Sequence, residues 1–110
     1  MRTSAIVLLL SLTLAVCVGF SQKKGKAGDP AKGKEVFEQC AVCHNADSDV
    51  KKTGPGLKGL FAKAKLKNGK KPSEDTIRAV IDAGGNGMPA YKEMLSDEEK
   101  ANLIAYLKTL

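Results

Sequence analysis

Apolar residues recur at helical spacing in three stretches of the chain, and no stretch shows the period-two alternation of a strand. The first stretch follows Asp29-Pro30, an Asp suited to an N-cap and a Pro suited to the first helical position. It predicts a helix from about Pro30 into residues 40–44, with Val36 and Phe37 as its apolar face. Gly33 lies inside this helix, where Gly costs about 1 kcal/mol relative to Ala. Close approach of another backbone is therefore expected there. The second stretch begins at Pro72-Ser73-Glu74-Asp75, with Ser73 as N-cap and acids in the first turn. Ile77, Val80 and Ile81 form its buried face, and Gly84-Gly85 stops it. The third begins at the capping box Ser96-Asp97-Glu98-Glu99 and runs to about Thr109. Leu103, Tyr106, Leu107 and Leu110 make its apolar stripe. Between these stretches, Asn45–Gly59 and Gly85–Met94 lack periodicity and read as loops. Leu60–Leu66 reads as a short helix interrupted by lysines, and Lys67–Lys70 as a turn. The pattern predicts an all-α fold of three main helices joined by glycine-rich loops.

A fourth apolar run, Ala5–Val18, is broken only by Ser11 and Thr13. It follows the basic start Met1-Arg2 and leads through Gly19-Phe20-Ser21 into a lysine-rich stretch. That is the layout of a secretory signal peptide, with cleavage expected after Gly19 or Ser21. The run is short for a membrane span, which needs about 20 apolar residues. As a helix of the fold it would lack a polar face. Cys17 could anchor a lipid, but Val16 before it is larger than the small residue such a site wants, so Cys17 reads as part of the discarded signal. The expected organisation is signal peptide 1–21, flexible leader 22–28 and one domain over 29–110. Cleavage after Ser21 leaves 89 of 110 residues, a small chain for a self-sufficient core. No membrane span is then expected, and the domain is expected to be a monomer.

Charge narrows the choice of partner. The chain carries 18 basic and 12 acidic side chains, a formal net of +6. Without Arg2, 17 against 12 leave +5. Eight lysines and no acid lie between Val50 and Ser73. They read either as a solvated face or as a surface that steers an acidic partner. Nucleic acid is not expected, because Arg78 is the sole arginine beyond the signal, aromatic residues do not interleave with the lysines, and the chain is exported.

The chemistry concentrates in Cys40-Ala41-Val42-Cys43-His44. Two thiols three residues apart with an imidazole directly after them form the attachment signature of c-type haem. The thiols can add across two vinyl groups, and a neutral imidazole is a good iron ligand. A redox dithiol would leave His44 unexplained. A zinc site needs about four ligands, and beyond this motif only Cys17 remains. The mature chain also limits the opposite axial position. His44 is the single histidine, so a second imidazole is excluded. Of Met88 and Met94, Met88 lies in the Gly- and Pro-rich loop Gly85-Asn86-Gly87-Met88-Pro89, where backbone can approach a flat ring. Met94, just before a helix cap, reads as packing filler. Thr53-Gly54-Pro55-Gly56-Leu57 lies nine to thirteen residues beyond His44 and offers a carbonyl, taken as that of Pro55, to the second ring N–H.

These features together resemble the class I c-type cytochromes over about residues 29–110. The matching elements are the Cys40–His44 motif, Gly33 and Phe37 in the first helix, and Leu103-Ile104-Ala105-Tyr106-Leu107 in the last. The proline loop followed by Gly59-Leu60-Phe61, and Gly87-Met88-Pro89, match as well. The resemblance implies a compact cytochrome c fold. Its N- and C-terminal helices cross, Gly33 and Phe37 meet Leu103 and Tyr106, and one covalent haem sits between His44 and Met88. It also implies a bacterial member, because the interval from His44 to Met88 is short, and hence a periplasmic location. The chain lacks the Trp that bonds a propionate in mitochondrial relatives; Arg78, Lys58 and Tyr91 are the residues considered instead.

The implied function is one-electron transfer through a haem with both axial positions filled, not catalysis, with redox proteins of acidic docking surface as partners. Two alternatives share the motif. One is a haem subunit or docking module of a larger membrane redox complex. The other is a haem enzyme or sensor with an open sixth position, which would want polar distal groups that a chain with one histidine does not supply.

Overall fold

The computed structural model describes residues 27–110. The expected signal peptide, including Cys17, and residues 22–26 of the leader lie outside the described residues. Three helices are present: α1 (Pro30–Phe37), α2 (Glu74–Ala83) and α3 (Asp97–Leu107), with a single 3-10 turn at Leu60–Ala62. The all-α expectation stands; the only β feature among the described residues is an isolated bridge between Gly85 and Met88.

Each helix begins where a short polar side chain satisfies free backbone N–H groups. Asp29 accepts from Ala31 N–H at 2.9 Å, with Pro30 at the first helical position. Ser96 and Glu99 form the expected reciprocal box, Glu99 N–H donating to Ser96 at 3.1 Å and Ser96 N–H to Glu99 at 2.7 Å. Ser73 forms a box as well, with Thr76 as its partner rather than an acid. Helix ends differ more from expectation. α1 stops at Phe37 and continues to His44 as hydrogen-bonded turns rather than as helix. Leu60–Leu66 shrinks to the 3-10 turn, and α3 ends two residues early.

The core joins α1 and α3. At Gly33 a Cβ would lie 1.9 Å from the Asn102 carbonyl oxygen and 2.8 Å from Tyr106 Cβ, so only glycine admits α3 at this distance. One turn on, the Phe37 and Tyr106 rings stack at 5.3 Å with a tilt of 56°. The helix contact extends upstream of α1. Gly28 lies against the Ala101 carbonyl, and Asp29 N–H donates to Asn102 Oδ1 at 2.8 Å. Gly28 is therefore packed against α3, not part of a free leader. Leu103, 2% exposed, centres a cluster of Phe37, Leu60, Ile77, Ile81, Tyr91, Leu95, Ile104 and Leu107. Among the described residues no helix is long and apolar enough to cross a membrane.

Candidate functional site

A cavity of about 540 Å³ opens between the turn after α1, the proline loop, α2 and the loop before α3. Its wall is largely apolar, with Phe37, Leu57, Leu60, Ile77, Val80, Ile81, Leu103 and Leu107 contributing. A cavity of this size in an 84-residue domain that has no Trp is room for a large flat ligand rather than a packing defect.

Cys40, Cys43 and His44 enter this cavity from one helical turn. Cys43 N–H and His44 N–H both donate to the Cys40 carbonyl, at 3.0 and 2.9 Å. Both thiols are free and half-buried, so neither is consumed in a disulfide. Burial, and secondarily the neighbouring Cys43, pushes the Cys40 thiol above its ordinary value, so it is a protonated S–H at neutral pH.

His44 is fixed by the loop that faces it. Its Nδ1 donates to the Pro55 carbonyl at 2.8 Å. This sets the tautomer and leaves Nε2 with the free lone pair. Gly54 N–H donates to the Cys43 carbonyl at 2.6 Å, and Leu57 N–H to that of Asn45 at 2.8 Å. These bonds press the loop so close that a Cβ on Gly54 would lie 2.5 Å from the imidazole Cε1.

Met88 also lines the cavity and is half-buried, whereas Met94 does not line it and is 63% exposed. Met88 exchanges two backbone hydrogen bonds with Gly85, at 2.9 and 3.0 Å, across a very tight reversal. That reversal needs φ of +60° at Gly84, +118° at Gly85, +52° at Asn86 and +88° at Gly87, which explains the glycine content of the loop.

Among the three residues considered for a propionate, only Tyr91 lines the cavity. Arg78 faces Asp97 at 3.4 Å, and Lys58 is exposed elsewhere. Burial raises the Tyr91 phenol above its ordinary value, with the two cysteines adding to the effect. Beyond the motif and Tyr91, the polar part of the cavity lining is Gln39, Lys51, Thr53, Lys67, Asn68 and Asn86. Lys67 and Asn68 read as a turn in the sequence and reach the cavity only through the fold. No group of three or more His, Cys, Asp or Glu side chains gathers among the described residues, so Cys40 and Cys43 lack the partners of a zinc centre.

The residues therefore fit a c-type haem: two free thiols and an oriented imidazole on one turn, a thioether on a loop closed by backbone hydrogen bonds, and an apolar cavity between them. Comparison with known proteins decides the family. A family profile described as cytochrome c oxidase, cbb3-type, subunit III, matches residues 28–107. Cytochrome c6 of Thermosynechococcus vestitus is 36% identical over 94% of this chain and 81% of its own length. Cytochrome c2 of Blastochloris viridis is 34% identical over 74% of this chain and 78% of its own. This chain belongs to the class I c-type cytochromes. The crystal structure of cytochrome c6 from the diatom Phaeodactylum tricornutum superposes with a TM-score of 0.56 at 33% identity, covering 74% of this chain and 93% of that one. The c-type cytochrome SorU from Sinorhizobium meliloti gives 0.53 at 31%, covering 73% and 87%. This cytochrome is thus a haem protein of electron transport.

Proposed function

We propose that the chain is an exported, periplasmic, soluble one-electron carrier. In it a single haem is attached through Cys40 and Cys43 and ligated by His44 and Met88. The observation that carries this reading is the pairing of the two axial candidates on one cavity, each restrained by backbone: His44 by the Pro55 carbonyl, Met88 by Gly85.

Cys40 and Cys43 would hold the haem by adding S–H across its vinyl double bonds, sulfur to one carbon and hydrogen to the other, which needs no oxidant. When bound, haem supplies an iron that exchanges one electron. His44 keeps Nε2 available because Pro55 holds Nδ1–H. A thioether in place of a second imidazole favours the reduced iron and raises the potential. The apolar wall excludes water, and the restrained loops limit reorganisation. With His44 and Met88 both holding the iron, no position on it would be left for a substrate. Tyr91 is the one propionate candidate on the cavity lining, and the lysines between Val50 and Ser73 supply a surface for acidic redox partners.

Substitution tests the ligand assignment. In the ferric holoprotein, Met88→Ala is expected to abolish the sulfur-to-iron charge-transfer band and to lower the reduction potential, and Met94→Ala to leave both unchanged. Loss of the band in Met94→Ala instead would overturn the assignment.

The name of the matching profile favours one second reading, a haem subunit of a larger membrane redox complex. Gel filtration of the native periplasmic fraction separates the two: a carrier elutes as a small monomer, a subunit only with a large complex.

A further inference from the structure

Lys100 is the most buried charged side chain among the described residues, 4% exposed. It stands in the first turn of α3, where the positive end of the helix dipole disfavours a cation. An ammonium withdrawn from water is destabilising unless it is paired and hydrogen-bonded. Both conditions are met by groups outside α3. Lys100 Nζ lies 2.7 Å from Asp82 Oδ1 and donates to the Lys92 carbonyl at 3.0 Å.

These partners mark the two ends of the segment that carries Met88. Asp82 is in the last turn of α2, which ends at Ala83, and Lys92 closes the return limb. Backbone bonds join the same ends, Tyr91 N–H to the Ile81 carbonyl at 2.9 Å and Lys92 N–H to that of Asp82 at 3.3 Å. Between them lie Gly84, Gly85, Asn86 and Gly87, all at positive φ. A segment with three glycines has many conformations open to it, so its ends decide how far Met88 can stray.

We propose that Lys100 is a positioning residue for the sixth ligand. By gripping Asp82 and the Lys92 carbonyl together, it keeps the Gly84–Lys92 loop closed and Met88 in place, and so keeps outside ligands from the iron. This rests on the assignment of Met88 as axial ligand.

Imidazole binding to the ferric holoprotein tests it. The apparent affinity of an outside ligand scales with the fraction of molecules whose loop is open, so Lys100→Met is expected to bind imidazole about tenfold more tightly than the parent. In a Met88→Ala background the same substitution is expected to change imidazole affinity by less than about twofold, because the loop no longer supplies a ligand. An equal gain in both backgrounds, or no gain in either, overturns the proposal and leaves Lys100 a general stabiliser. Asp82→Asn approaches the grip from its other side, should Lys100→Met fail to fold. It is expected to raise imidazole affinity in the parent alone, and an unchanged affinity overturns the proposal. Retention of the sulfur-to-iron band in Met88→Ala would instead refute the ligand assignment, and the proposal with it.

Discussion

The imidazole of His44 has almost no freedom, and backbone rather than side chains removes it. Pro55 offers a carbonyl at 2.8 Å, and Gly54 lies where any Cβ would touch the ring at 2.5–2.9 Å. On the proposed ligation, Gly54→Ala is therefore expected to tilt the ring off the iron while both thioethers remain. The readout is loss of the low-spin ferric spectrum in protein whose haem stays attached after denaturation; an unchanged spectrum would show that the loop can retreat. Tyr91 gives a second prediction. Burial raises its phenol above the ordinary 10.0, and the proposed thioethers would remove the smaller contribution of the thiols. A raised acid contributes stability that is fully present below pH 10.0 and is lost as pH rises through the folded-state value. Urea unfolding of the holoprotein is expected to show a steep loss above that pH, and a shallower one in Tyr91→Phe. The site residues that sequence exposes are those whose chemistry is rare in the chain: two of its three thiols, its one imidazole and one of its three methionines. The polar residues Lys67 and Asn68 of the cavity lining were not legible, because a lysine or an asparagine in a turn has an ordinary explanation and only the fold brings it to the cavity.

The contact of α1 with α3 tests the elements. Replacing Gly33 by Ala should favour α1 by about 1 kcal/mol on propensity alone. Against this, the added Cβ would sit 1.9 Å from the Asn102 carbonyl. Overpacking costs about 1–3 kcal/mol, and a backbone obstacle belongs at the upper end, so a net loss of stability is expected, measured as a lower urea midpoint at unchanged slope. A gain would mean that the helices part without penalty. Helix starts were readable because capping is local chemistry: Asp29, Ser73 and Ser96 all accept the bonds their types predict. The end of α2 was readable too, since Gly84 caps it after Ala83; the ends of α1 and α3 were not, because they depend on what the chain meets. α1 yields at Phe37 to the turns that aim Cys40, Cys43 and His44 at the cavity. Asn102 interrupts the apolar stripe of α3; its amide is buried because its Oδ1 accepts from Asp29 N–H, a partner 73 residues away.

Over the whole molecule, the lysines divide by what they touch. Lys52 donates to the Ala41 carbonyl, Lys63 to that of Gly56 while lying near Asp49, and Lys108 pairs with Glu74. Lys100 is internal. Lys51 and Lys67 are different: exposed, without a hydrogen bond or ion pair among the described residues, and on the lining of the cavity. A partner receiving an electron through the edge of a group in that cavity would meet these two charges first. Lys34, on the exposed side of α1, carries the same charge away from the cavity. Steering by charge weakens as ions screen it, over about 10 Å at 0.1 M salt. Bimolecular electron transfer to an acidic redox protein is therefore expected to slow steeply with added salt. Lys51→Glu and Lys67→Glu should each reduce the low-salt rate several-fold, and Lys34→Glu should reduce it less. At high salt all four proteins should converge, since charge reversal then alters only a screened interaction. A parent rate indifferent to salt, or equal losses at Lys34 and Lys67, would return the lysines to the role of keeping a small domain in solution. Net charge alone would then account for them, and the partner would be recognised through the uncharged surface around the cavity.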